Sequence, residues 1–155
     1  MKRVDGRLRL AVTDLAVHAA CAHATTLDHE CARGERKKPP HVSDPMLELL
    51  WERGRRHEAA YVASLGVSAD ELVALGEEPS QAPLSPSDAL AATRAAMQRG
   101  ARVIVQAALG DDTWHGRADV LVRVETPSDL GPYSYEAVDT KLAQHTRAST
   151  VLQLC

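Results

Sequence analysis

The segment 133–142, Tyr-Ser-Tyr-Glu-Ala-Val-Asp-Thr-Lys-Leu, places the strongest constraint on what this chain can fold into. It follows a Gly131-Pro132 breaker and alternates aromatic or β-branched residues with small or polar ones, which predicts a β-strand. Side chains two residues apart in a strand point to the same face. Asp139 and Lys141 are therefore predicted to share one face, although an isolated pair of this kind is usually a solvated ion pair on an edge strand.

A second carboxylate, Asp119, lies in the preceding strand-like segment 113–125, where regular alternation predicts that it shares a face with Leu121 and that Ala118 lies on the other face. The connection 126–132 suits a loop between antiparallel neighbours. If the two strands pair, Asp119 can lie beside Asp139. Two converged carboxylates repel each other unless a cation or a proton lies between them, and clusters of oxygen ligands suit magnesium or manganese. This arrangement is what metal-assisted phosphodiester cleavage needs, with the carboxylates holding the ion and Lys141 positioning and polarising the attacking water.

The rest of the chain predicts an α/β fold with a central mixed sheet flanked by helices. The apolar segment 103–109 indicates a buried strand, and Gly110-Asp111-Asp112 is typical of a hairpin turn, so three consecutive strands are expected within 103–142. Helices are predicted in four places: from about Asp14 to Leu27, after Ser43 or Asp44 with Pro45 in the first turn, from Ser87 or Asp88 to Gly100, and over 144–155.

The helical spacings also predict which side chains face the interior. The predicted interior stripe of the second helix consists of Leu47, Leu50, Gly54, His57, Tyr61 and Leu65. That of the third helix consists of Leu90, Thr93, Ala96 and Met97. A histidine on such a stripe is more often a core residue than a ligand, and Cys21 on the first helix is most simply a small buried hydrophobe. In the last segment Gln153 is adjacent to the apolar stripe, and the pattern stops at Cys155 in mid-helix, which is typical of a truncated chain.

Composition excludes several classes of protein. The 155 residues suffice for one domain, and 45% apolar with 25% charged residues is ordinary for a globular protein. No segment is apolar enough to span a membrane or to serve as a signal peptide, so a cytoplasmic location is expected. Three cysteines form no Cys-x-x-Cys pair, which makes a disulfide framework unlikely to be the basis of the fold. With two Trp, three Tyr and no Phe, the chain offers little for a base-stacking platform.

Four motifs in order resemble the RecB-like branch of the PD-(D/E)XK nucleases. They are Gly54-Arg55-Arg56-His57-Glu58 on a helix, Gly116-Arg117-Ala118-Asp119 on a strand, residues 135–141 on the next strand, and Gln153 on a following helix. The resemblance extends over nearly the whole chain from Leu10. It implies a restriction-endonuclease-like core, and a single RecB-like nuclease domain over 1–155 that is truncated at its C-terminus.

The resemblance also implies residue roles. Asp119 and Asp139 would ligate Mg²⁺ or Mn²⁺ with the main-chain carbonyl of Thr140, and His57 would be an additional metal ligand. Lys141 would hold or activate the water. Gln153 matches the start of the Gln-x-x-x-Tyr helix motif of the family, whose tyrosine would lie beyond Cys155.

Some relatives carry an iron–sulfur cluster, and Cys21 lies where the first of its four cysteine ligands would be. The other three ligands are not in this chain, so the resemblance implies a cluster only for a longer parent protein.

Three functions are compatible with these patterns. The first is a metal-dependent nuclease that hydrolyses DNA phosphodiester bonds, on single strands or duplex ends, in repair, recombination or processing. The second is a non-catalytic DNA-binding or regulatory module with the nuclease fold, in a parent chain that carries a helicase domain. The third is an unrelated α/β domain in which Asp119, Asp139 and Lys141 form a structural ion-pair network.

Overall fold

The computed structural model describes residues 1–4, 6–40, 42–76, 84–143 and 145–154. The strands are β1 (Lys2–Val4), β2 (Arg7–Ala11), β3 (Leu72–Ala74), β4 (Val103–Gly110), β5 (Trp114–Val124) and β6 (Ser134–Val138). The helices are α1 (Val12–Ala20), α2 (Ala22–Arg33), α3 (Pro45–Ser64), α4 (Pro86–Gln98) and α5 (Ala148–Leu154). The predicted α/β class is confirmed. Within the described ranges, no helix combines the length and apolar character needed to cross a membrane.

The six strands form one mixed sheet in the order β1-β2-β5-β4-β3, and β6 also pairs with β5. The pairs β1–β2 and β5–β6 are antiparallel, whereas β2–β5 and β3–β4 are parallel. The long strand β5 pairs with β2 at residues 114–115 and with β6 at residues 120–124. The three consecutive strands expected within 103–142 are therefore confirmed as β4, β5 and β6.

The chain divides into two compact units. The first consists of Met1–Glu52, Gly110–Gly116 and Ala143–Cys155, and in it α1 packs against both α2 and α5. The second consists of Arg53–Leu109 and Arg117–Leu142. Its core is the cluster of Ala96, Ile104, Ala107 and Leu121, with Val103 and Val120 also buried.

Helix α4 covers the core of the second unit as its pattern predicts. Thr93 and Ala96 are buried, while Leu90 and Met97 are half-buried. The helix begins at Pro86, earlier than Ser87 or Asp88, because the hydroxyl of Ser85 accepts a hydrogen bond from the Asp88 N–H and caps it.

Strands β4 and β5 depart from regular alternation. Ile104 and Ala107 lie in one core cluster although they are three residues apart, and Ala118 packs against the same cluster as Leu121. A strict period of two would separate both pairs, so the expectation that Ala118 and Leu121 lie on opposite faces is wrong. The departure in β4 coincides with Gln106, which has φ of 56° and is the one non-glycine residue with positive φ in the described ranges.

The first predicted helix is broken in two at Cys21, whose backbone is extended with φ of −159°. Cys21 is exposed, so its prediction as a buried residue is wrong. Because the helix is interrupted at residue 21, the side chains of α1 and of α2 each follow their own helical phase. One continuous helical spacing from Asp14 to Leu27 therefore does not predict which of them face the interior.

Helix α3 begins at Pro45, as predicted, and Asp44 Oδ1 accepts a hydrogen bond from the Met46 N–H at 2.9 Å. Its predicted interior stripe is partly wrong, because Leu47 and Leu50 are 42% and 44% exposed and His57 is exposed. The half-buried residues of α3 and its end are instead Glu52, Gly54, Glu58, Tyr61, Val62 and Leu65.

The last predicted helix is present as α5 over Ala148–Leu154, and it begins later than predicted because residues 145–147 are not helical. Its expected ends at Gln144 and Cys155 lie outside the described residues.

Candidate active site

The register of β5 and β6 brings two aspartates side by side. The paired residues run from Val124 with Ser134 to Val120 with Val138. One further step in the same register places Asp119 across from Asp139. The expectation that these two strands pair is confirmed, and both aspartates lie in the second unit.

Thr140 links the end of β6 to Asp119. Its backbone N–H donates to Asp119 Oδ2 at 2.8 Å, and its hydroxyl donates to the same oxygen at 3.2 Å. The strand was expected to continue to residue 142 but ends at Val138. The structure gives the reason: the N–H of Thr140 is used by a side-chain carboxylate of β5 instead of a backbone carbonyl.

Asp139 has one carboxylate oxygen paired and one unpaired. Lys141 Nζ lies 2.6 Å from Asp139 Oδ1, and the two side chains are 46% and 14% exposed. Asp139 Oδ2 is buried and accepts no hydrogen bond in the described part of the chain. A buried carboxylate oxygen without a donor or a cation is unfavourable, so this atom marks a position where a ligand can bind. Asp119, Asp139, Thr140 and Lys141 are called the aspartate site below.

The donor set of the aspartate site fits a hard divalent cation. Magnesium is typically held by one or two carboxylates together with water and substrate phosphate oxygens, and it does not need a full cage of protein ligands. In the described ranges, no three His, Cys, Asp or Glu side chains converge to hold a metal ion. The two aspartates are therefore the side-chain ligands that the aspartate site offers, and His57 is not gathered with them.

His57 and Glu58 are placed differently by α3. Glu58 is half-buried, and the side-chain amide of Gln106 on β4 donates to its Oε1 and Oε2, each at 2.9 Å. Consecutive helical residues are rotated by about 100°, so His57 cannot share this orientation. His57 is exposed, and its role as a metal ligand stays a prediction.

The β4–β5 hairpin also relates the position of Gln106 to that of Asp119. The Arg123 N–H donates to the Arg102 carbonyl at 3.0 Å across the β4–β5 hairpin, and counting four residues inward on each strand places Gln106 across from Asp119. Counting from the turn at 112–113 leads to the same pairing. Gln106 and Glu58 were not among the residues predicted to be functional. Glu58 was named only as the last residue of the α3 motif, and the sign of Gln106 in the sequence was a polar residue inside the apolar segment 103–109.

The remaining predicted site residues belong to the first unit. Gln153 is half-buried on α5, the helix that packs against α1. Cys21 is exposed between α1 and α2, and its thiol is not in a disulfide. Their predicted roles stay predictions.

Comparisons with protein-family models, with curated proteins and with solved structures returned no match.

Proposed function

We propose that this chain is a metal-dependent nuclease of the RecB-like branch, with a restriction-endonuclease-like core, that hydrolyses phosphodiester bonds of DNA. The observation that carries the proposal is the buried, unpaired Oδ2 of Asp139, next to Lys141 and in register with Asp119. A structural ion-pair network would be expected to leave no buried carboxylate oxygen unsatisfied.

In the proposed mechanism, Asp119 and Asp139 would hold Mg²⁺ or Mn²⁺ together with the main-chain carbonyl of Thr140. The bound cation supplies Lewis-acid stabilisation of the negative charge that develops on the phosphate oxygens. Lys141 has a different task. Its ammonium carries only hydrogen-bond donors, so it orients the attacking water and adds positive charge near the phosphate.

DNA binding is supported by basic side chains near the motif residues of α3. Arg53, Arg55 and Arg56 are exposed on α3, and Arg117 is exposed on β5, all in the second unit. Arginines of this kind bind phosphates without reading the sequence. The proposed substrates are single strands or duplex ends of DNA. The proposed partner is a helicase domain in the same parent chain.

The proposal is tested by incubating labelled single-stranded and duplex DNA with the protein, with Mg²⁺ or Mn²⁺ against EDTA. We expect cleavage that needs the metal and that falls about a hundredfold or more in Lys141→Ala, since a charged group at the transition state contributes a few kcal/mol. Arg102→Ala is the matched control, because it removes another ion pair of the second unit, the one with Glu71. We expect Arg102→Ala to cleave as the wild type does.

Two results would contradict the proposal. Full activity of Lys141→Ala would remove Lys141 from the mechanism. A folded wild type that binds DNA but never cuts it would favour the non-catalytic module.

A further inference from the structure

We propose that the side-chain hydroxyl of Thr140 is a positioning group of the aspartate site, which orients the Asp119 carboxylate for the divalent cation. This inference rests on the proposed nuclease function. It assigns a role to the side chain of Thr140, whereas the resemblance implies a role only for the main-chain carbonyl of that residue.

The first argument is geometric. Both donors of Thr140, the N–H and the hydroxyl, converge on the same oxygen of Asp119, at 2.8 Å and 3.2 Å. One hydrogen bond leaves a carboxylate free to rotate about its own axis, whereas two donors from one rigid, β-branched residue restrict that rotation. Both bonds fall on Oδ2, so together they set the orientation in which the carboxylate presents its other oxygen.

The second argument comes from contrast with the other aspartates that accept from backbone N–H groups. Asp14 accepts from the N–H of Ala11, Asp44 from that of Met46, and Asp111 from those of Thr113 and Trp114. These contacts span two or three residues and organise local turns. The Thr140 contact spans 21 residues and joins the segment after β6 to β5, so a local turn does not account for it.

The third argument concerns the neighbours of Thr140. The β5–β6 pairing extends to Val120 and Val138, and the Thr140 contacts follow immediately beyond it. Thr140 lies between Asp139 and Lys141 in the chain, so its bonds to Asp119 fix the backbone that carries both. Hydrogen-bond partners that orient metal ligands in this way typically contribute about 10- to 100-fold to metal affinity.

The experiment compares Thr140→Val and Thr140→Ser with the wild type. Valine keeps the branched shape, the N–H and the carbonyl, and it removes only the hydroxyl donor, whereas serine keeps the hydroxyl. Affinity for Ca²⁺ and for Mg²⁺ is measured by calorimetry without DNA. The Mg²⁺ concentration for half-maximal cleavage is measured separately from the rate at saturating Mg²⁺.

We expect Thr140→Val to weaken the affinity for both cations about 10-fold or more, and Thr140→Ser to stay within about threefold of the wild type. In cleavage, Thr140→Val should need about 10-fold more Mg²⁺ and should recover most of its rate at saturation. Thr146→Val, at an exposed threonine of the first unit, is the matched control and should change neither quantity.

Unchanged cation affinity in Thr140→Val would overturn the inference, and so would a Thr140→Ser variant that folds normally but binds as weakly as a folded Thr140→Val. If Thr140→Val does not fold, normal affinity in Thr140→Ser supports the role of the hydroxyl and weak affinity in folded Thr140→Ser overturns it. A wild type that neither binds divalent cations nor cleaves DNA would reject the nuclease proposal itself, whereas a wild type that does both, beside an unaffected Thr140→Val, rejects only the role of Thr140.

Discussion

The aspartate site and the His57–Glu58 pair of α3 lie in the same unit. The sequence predicted the placement of the two differently well. Two predicted residues, Asp119 and Asp139, directly follow the last pair of the β5–β6 register, and Lys141 contacts Asp139. On α3 the predicted histidine is exposed, and its neighbour Glu58 makes the half-buried contact with β4.

The difference lies in how strands and helices place side chains. Two antiparallel strands that are neighbours in the chain have one register that buries their apolar face. That register also fixes the positions of the residues next to the paired segment. A helix rotates by about 100° per residue, and an error of one residue in its phase changes which side chain faces the sheet. In this chain the pairing of β5 with β6 was therefore predicted correctly, whereas the interior face of α3 was predicted only in part.

The largest expected effect comes from breaking the aspartate site. Asp119→Ala and Asp139→Ala should each lower the cleavage rate about a hundredfold or more, because each removes a carboxylate from the proposed cation site. Neither variant should lose the fold, which circular dichroism and the thermal unfolding midpoint will check. Asp70→Ala, at an exposed aspartate of the same unit, is the control. A cleavage rate of Asp119→Ala equal to that of the wild type would show that Asp119 is not a ligand.

The second prediction compares the stability of variants at the two neighbouring residues of α3, His57 and Glu58. Glu58→Ala leaves the Gln106 amide without its carboxylate partner and should lower the free energy of unfolding by about 1.5–3 kcal/mol. His57→Ala changes an exposed residue and should stay within about 0.5 kcal/mol. Urea denaturation measures both.

Cleavage by the same two variants sharpens the comparison. We expect a greater loss of cleavage in Glu58→Ala than in His57→Ala, because the Glu58–Gln106 contact supports β4 across from Asp119. The opposite order, with weaker metal affinity in His57→Ala, would support the predicted role of His57 as a ligand.

The smallest expected effect separates the two properties of Gln106. Gln106→Ala and Gln106→Gly both remove the amide that binds Glu58, but only alanine keeps a side chain at a φ of 56°. Glycine adopts positive φ without a steric penalty, so Gln106→Gly should be more stable than Gln106→Ala by about 1 kcal/mol. Equal unfolding free energies would mean that the backbone at this position relaxes when the side chain is shortened.

Much of the fold follows from local patterns. The Asp44-Pro45 start of α3, the buried strand in 103–109 and the inward Thr93 of α4 were all predictable, because caps, apolar segments and helical periodicity act over a few residues. The errors have a common origin. Continuous periodicity was assumed through Cys21 and between Ala118 and Leu121, where the backbone changes conformation or alternation.

The sequence by itself predicted the three consecutive strands within 103–142, with Asp119 in the second of them. Only the tertiary structure decided that the β5–β6 pairing ends next to Asp119 and Asp139, that Thr140 donates twice to Asp119, and that Glu58 contacts Gln106. Local periodicity states which face a residue occupies within its own element. Contacts across 21 or 48 residues depend on register and helix phase, which are set when the elements pack together.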